Sequence, residues 1–153
     1  MAKNYLRLDK VGGQDHYESF VAEHKIVNGQ WLNLGEMDLD LGIEMAKAKK
    51  AEEGKEPDTL ACTVFINYGE LNYDETAQEL PVGKAGRALH HKKGNIVSFN
   101  VENAQGLVAG DLVTVGADGL GVKKATGDDH VVGQVIRLDY LAYVGDLVVV
   151  RIK

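Results

Sequence analysis

The most constraining feature of this chain is its last forty residues, a series of short apolar runs separated by Gly/Asp turns. Leu112 to Val115 is followed by Ala117-Asp118-Gly119, then Leu120 to Lys123, then Thr126-Gly127-Asp128-Asp129. Val131 to Leu138 and Leu147 to Ile152 complete the series. Runs this short cannot bury a helical face, and β-branched residues spaced by turn residues about every ten positions predict an antiparallel meander. Eleven of the 18 glycines lie between Gly83 and Gly145, so the second half is the more turn-punctuated. Gly110-Asp111-Leu112-Val113-Thr114-Val115 and Gly145-Asp146-Leu147-Val148-Val149-Val150 match at five of six positions. A Gly-Asp turn feeding a Leu-Val strand accounts for both, without a repeat architecture.

Upstream, Tyr5 to Leu8 alternates and ends at Gly12-Gly13, which predicts a short strand or an extended arm. Lys25-Ile26-Val27 and Gln30-Trp31-Leu32 flank Asn28-Gly29, the pattern of a type I′ hairpin, here placed over Phe20 to Leu34. In Glu36 to Leu41 acids alternate with apolar residues, which gives one acidic face if the segment is extended. Leu41, Met45 and Ala48 then fall at i, i+4 and i+7 among alanines, and Gly54 follows, so a short helix is expected over Ile43 to Glu53. Lys47 to Asp58 reads as a charged, solvated insertion. Leu60 to Ile66, Leu71 to Asp74 and Asn95 to Val101 read as strands. The expected fold is mainly β: a small antiparallel barrel or sandwich with a C-terminal meander, one short helix (an insertion at about 43–58), and an extended N-terminal arm. The arm is residues 1–19, and 20–153 is a single β-rich domain.

Composition narrows function. The chain has 153 residues, enough for one domain to bury a core unaided. Lys plus Arg number 17 against 23 Asp plus Glu, a net charge of −6. That balance opposes sequence-independent nucleic-acid binding and docking on an anionic membrane. No apolar run approaches the ~20 residues of a membrane helix, and the first residues lack the pattern of a secretory signal. The one cysteine, Cys62, rules out an internal disulfide and a zinc site of several thiolates.

Candidate chemistry is sparse. His90-His91 are adjacent and so point apart, and Arg87, Lys92 and Lys93 make their surroundings cationic, which disfavours a metal ion. They read as surface histidines in a basic patch. Cys62 lies in an apolar strand and reads as structural rather than nucleophilic. Asp111, Asp118, Asp128, Asp129, Asp139 and Asp146 read as turn caps. Gly116 to Gly121 has a Gly-x-x-Gly-x-Gly spacing but lies between strands rather than opening a helix. There is no Gly-x-Ser-x-Gly elbow, no phosphate loop and no His-Glu-x-x-His. No catalytic set, cofactor or metal site is expected. Trp31 is left as an anchor of either the core or a partner surface.

An ordered set of segments runs from Asn28-Gly29-Gln30-Trp31-Leu32-Asn33-Leu34-Gly35 through Asn72-Tyr73-Asp74-Glu75, Gly86-Arg87-Ala88-Leu89 and Lys93-Gly94-Asn95-Ile96-Val97-Ser98. It continues with Val108-Ala109-Gly110-Asp111-Leu112-Val113 and Val131-Val132-Gly133-Gln134-Val135-Ile136. This order resembles the capsid decoration, or cement, proteins of tailed bacteriophages. The resemblance implies a non-enzymatic virion protein, made in the host cytoplasm and bound to the capsid exterior. Its partners would be the major capsid protein and further copies of itself, for example a homotrimer. Candidate contacts are Tyr5, Leu6 and Leu8 on the arm, Trp31, and the patch Arg87, His90, His91, Lys92 and Lys93. The arm would pair with a capsid or neighbouring-subunit strand by strand addition. The competing readings are another phage component (tail, baseplate or head fibre), a glycan-binding β module, and a biotinyl- or lipoyl-carrier-like barrel. The last needs a lysine at a hairpin tip, and Lys123-Lys124 lacks the flanking Met pattern of such carriers.

Overall fold

A computed structural model describes residues 4–13, 15–41, 45–63 and 79–153. Its strands are β1 (Leu6–Lys10), β2 (Tyr17–Ala22), β3 (Ile26–Val27), β4 (Trp31–Met37), β5 (Ala46–Lys50), β6 (Thr59–Thr63) and β7 (Glu79–Leu80). They continue with β8 (Ala85–Leu89), β9 (Ile96–Asn100), β10 (Leu112–Val115), β11 (Val122–Lys124), β12 (Gly133–Leu141) and β13 (Gly145–Ile152). Strands β2-β5-β4-β6-β8 close into a barrel, and β1-β9-β13-β12-β10-β11 form a six-stranded sheet. β3 and β7 make a separate two-stranded ribbon. The chain is therefore mainly β, with a barrel and a C-terminal antiparallel array, as its turn spacing predicts.

A five-stranded barrel is narrow, and its filling explains the alanines. Its core holds Phe20, Ile26, Leu32 and Leu80 beside Ala22, Ala48, Ala61 and Ala88. A Cβ on Gly86 would lie 2.7 Å from the Phe20 ring, so glycine there makes room for the one large aromatic side chain among the described residues of this core. This packing overturns the expected helix over Ile43 to Glu53. Residues 46–50 are a strand held between β2, in parallel, and β4, in antiparallel. Ala46 and Ala48 are buried whereas Lys49 and Lys50 are exposed. The same alanines satisfy a two-residue period as well as a helical one, and pairing on both edges outweighs intrinsic helix propensity. Nor is Lys47 to Asp58 simply a solvated face. Ala51 is buried in the main core, its N–H donates to the Trp31 carbonyl at 2.9 Å, and Asp58 accepts from the Leu34 N–H at 2.8 Å.

The Asn28-Gly29 turn forms, but no hairpin follows from it. The Gln30 N–H donates to the Val27 carbonyl, and Gly29 has φ 83°. Asn28 is not among the positive-φ residues, so the turn is not type I′. A turn with only its second central residue left-handed splays the flanking strands. β3 accordingly pairs with β7, and β4 with β5 and β6. The expected strand Leu71 to Asp74 lies outside the described residues, as does the end of Leu60 to Ile66.

The barrel and the sheet share one core. Trp31 and Leu60 from the barrel pack with Val97, Phe99, Val113, Val115, Val148 and Val150 from the sheet. Trp31 is 0% exposed and its Nε1–H donates to the Gly121 carbonyl at 2.8 Å. Segment 116–121 is shaped for this approach. A Cβ on Gly119 (φ 73°) would meet the Trp31 carbonyl at 2.8 Å, and one on Gly121 (φ 54°) the Asn103 carbonyl at 2.0 Å. The glycine spacing noted in the sequence thus serves close backbone approach within the molecule. Gly110 and Gly145 both have positive φ (96° and 102°), consistent with a shared turn geometry ahead of the two echoing Leu-Val strands.

Candidate functional site

The nine candidate contacts do not form one surface. Leu6 to Lys10 is an edge strand of the chain's own six-stranded sheet, with Leu6 opposite Phe99 and Leu8 opposite Val97. Tyr5 and Leu6 are buried and Leu8 packs against the main core. One edge of the expected arm is therefore spent inside the molecule, because alternate apolar residues on β1 complete the sheet. Trp31 is wholly buried, which removes it as a surface contact and decides in favour of core anchor.

The second group gathers where β8 leaves the barrel. His90 and His91 point apart, as adjacency requires, but neither is simply a surface histidine. The His90 ring stacks on His16 with centroids 4.5 Å apart, and its Nε2 lies 3.0 Å from a Glu18 carboxylate oxygen. His91 packs edge-on against Trp31 at 5.2 Å. Burial, with the neighbouring His90 and His130, holds its imidazole below the ordinary pKa, against the opposing pull of Glu56 and Asp58. The Lys92 ammonium sits 3.2 Å from Asp15. Burial tends to raise the Asp15 carboxyl, but Lys92, the Gly12 N–H and the Asn95 amide together keep it below its usual value. Arg87, Lys92 and Lys93 are exposed. These cations are thus partly neutralised, by Asp15 on the β1–β2 link and Glu18 on β2.

The aspartates divide by role. Asp111 accepts from the Val108 N–H and Asp129 from the Thr126 N–H, each at 3.0 Å, as turn caps. Asp118 has φ 56° and pairs with Lys50 at 2.9 Å. Asp139 belongs instead to a network on the outer face of the sheet. It lies 2.7 Å from Arg7 and 2.9 Å from Arg137, while Arg7 also pairs with Asp9, which accepts from Ser98. The Arg7 hydrogen bond, the Tyr140 N–H and Arg137 hold the Asp139 carboxyl far below the usual range. Among the described residues, no group of three His, Cys, Asp or Glu side chains is placed to hold a metal ion. Cys62 is half-buried, and burial pushes its thiol up to about 11, an unreactive setting.

Residues the sequence reading passed over lie on the β12–β13 hairpin. Leu138, Tyr140 and Tyr143 are 56%, 65% and 60% exposed, and Tyr143 stacks edge-on with Tyr5 at 6.2 Å. Their signal was the run Leu138-Asp139-Tyr140-Leu141-Ala142-Tyr143, which carries large apolar groups past the end of the core-facing alternation.

No protein-family model and no curated protein sequence matches this chain. Among solved structures it resembles the crystal structure of the head fibre gp8.5 N base of bacteriophage phi29, with a TM-score of 0.60 and 16% sequence identity. The alignment covers 90% of this chain and 93% of that one, so the likeness is one of fold and spans barrel and sheet together.

Proposed function

We propose that this chain is a structural component of a phage head, docked on the outer surface of the assembled shell, where it stabilises contacts between major capsid protein subunits. The observation that carries the reading is the fold likeness to a phage head fibre base over nearly the whole of both chains. The ordered sequence segments that resemble capsid decoration proteins support it independently. In this role the protein is not a catalyst. A ligand that binds only the assembled lattice stabilises it by mass action, and many weak contacts sum over the particle. A rigid barrel joined to a sheet suits the task because little ordering entropy is lost on docking. The exposed cations Arg87 and Lys93, on a chain of net charge −6, are the docking contacts this reading retains.

A second reading, favoured by the named neighbour, makes the module the base of a head fibre. A sedimentation titration against purified shells lacking this chain tests both readings. Saturation at hundreds of copies per shell establishes the decoration role, and saturation at tens establishes the fibre base. No binding to expanded or unexpanded shells rejects both. Arg87→Glu combined with Lys93→Glu should weaken binding and flatten its salt dependence.

A further inference from the structure

β12 is the longest strand of the sheet, and among the described residues its last six positions have a partner on one side only. It pairs with β13 along its whole length, from Gly133 opposite Ile152 to Leu141 opposite Gly145. On its other side β10 reaches only Gly133 and Gln134, and the last bonds toward that side are Gly110 N–H to the Val135 carbonyl and Val135 N–H to the Asp111 carbonyl. From Ile136 to Leu141 this edge carries no ladder partner among the described residues. The register shift between Val135 and Arg137 sets which groups face outward. Past it, Arg137, Asp139 and Leu141 bond toward β13, so the backbone groups of Leu138 and Tyr140 point away. The Tyr140 N–H accordingly turns to its neighbour, the Asp139 carboxylate, at 2.8 Å.

An open strand edge flanked by exposed apolar side chains is a template for another strand, and proteins normally blunt such edges. The outermost strand on this side of the sheet is blunted, since β11 is three residues long and carries Lys123 and Lys124. We infer that the Ile136–Leu141 edge of β12 pairs antiparallel with the same edge of a second copy of this chain, about a two-fold axis through Leu138.

The charges favour that occupant. With the axis at Leu138, Arg137 of each copy lies opposite Asp139 of the other, so both cross-strand pairs join opposite charges. An axis at Asp139 sets two carboxylates face to face. In the Leu138 register the two leucines exchange both backbone bonds, and Ile136 faces Tyr140 of the second copy. The open segment is about six residues, or roughly 20 Å, and this register uses nearly all of it. Leu138 and Tyr140 lie on the core-side face beyond the last core residues, opposite Val148 and Asp146, so pairing also covers apolar surface that the monomer leaves in water.

Sedimentation equilibrium of the full chain from about 1 μM to about 1 mM tests this directly. The expected result is a monomer–dimer equilibrium at twice the chain mass. Leu138→Lys, whose side chain is already largely in water, should raise the dissociation constant at least tenfold without moving the melting temperature. A Cys62→Ala chain carrying Leu138→Cys should cross-link under mild oxidation, because hydrogen-bonded antiparallel pairs place Cα atoms about 5.5 Å apart, within disulfide reach. Leu39→Cys in the same background, at an 87% exposed site elsewhere, should stay monomeric. A monomer throughout, a trimer, a dimer that Leu138→Lys leaves intact, or equal cross-linking at residue 39 each overturns the inference. So does protection of the 136–141 amides from hydrogen exchange on shells alone, which assigns the edge to a shell protein.

Discussion

Replacing Trp31 with phenylalanine probes the joint between barrel and sheet more sharply than any other single change. The indole is 0% exposed, donates to the Gly121 carbonyl at 2.8 Å, and lies 5.9 Å from the Phe99 ring and 5.2 Å from the His91 ring. Phenylalanine keeps an aromatic ring but removes one of the two hydrogen bonds to the Gly121 carbonyl, which still accepts from the Gly116 N–H at 3.2 Å; losing that bond costs about 0.5–1.5 kcal/mol. The smaller ring adds about 1 kcal/mol of lost transfer and cavity energy. The sum, about 1.5–2.5 kcal/mol, is a substantial share of the stability of an ordinary domain. At about 2–4 °C per kcal/mol for a chain of this size, the melting temperature should fall by about 6 °C. Because Trp31 is the only tryptophan, the variant must be followed by far-UV circular dichroism in urea. In the parent, dichroism and tryptophan fluorescence should trace one transition, since the two modules share a core. A variant within about 0.5 kcal/mol of the parent, or parent transitions that separate, would refute this account of the joint.

Three further outcomes are expected. Asp139 is held far below the usual carboxylate range, first by the Arg7 hydrogen bond and then by the Tyr140 N–H and Arg137. A depressed folded-state pKa contributes stability that is fully present above the unfolded value near ~3.9 and is lost as pH falls toward the folded one. Asp139→Asn should therefore lower the melting temperature at pH 7, with the deficit shrinking below about pH 4. Gly121→Ala should cost more than about 2 kcal/mol by urea denaturation, from positive-φ strain plus the clash with the Asn103 carbonyl, whereas Gly127→Ala, with the same φ but open space, should cost about 1. With its thiol pushed up to about 11, folded Cys62 should be alkylated at pH 8 about 100-fold more slowly than in urea, and equal rates would contradict its burial.

What the sequence disclosed is what local chemistry decides. Val113, Val115, Val148 and Val150 carry a two-residue period, Gly110 and Gly145 supply left-handed entries, and the strands of the second half stand close to where those signals put them. What it did not disclose depends on partners far away in the chain. Ala46 and Ala48 fit a helix or a strand equally well until Phe20 and Leu34 lie opposite them. Asn28-Gly29 marks a turn, but the positive φ of Gly29 alone sends β3 and β4 to different partners. Trp31 reads as core or surface until segment 116–121 closes over it. The open edge of β12 was invisible for the same reason, since it arises from where β10 stops.

The pairing of β1 with β9 also sets how this molecule must be assembled in time. Leu6 meets Phe99 across 99 − 6 = 93 positions, and β9 in turn lies against β13, at Gly145–Ile152. Closing a loop of that length costs about 4 kcal/mol of chain entropy before its contacts return anything. The strand that leads the chain is thus among the last to be seated, and it must wait for a sheet whose central strand follows every other in sequence. Until then one edge of β9 stands unpaired. Folding should run on the millisecond-to-second scale of non-local β topologies, with the half-built sheet as the species most exposed to wrong pairing.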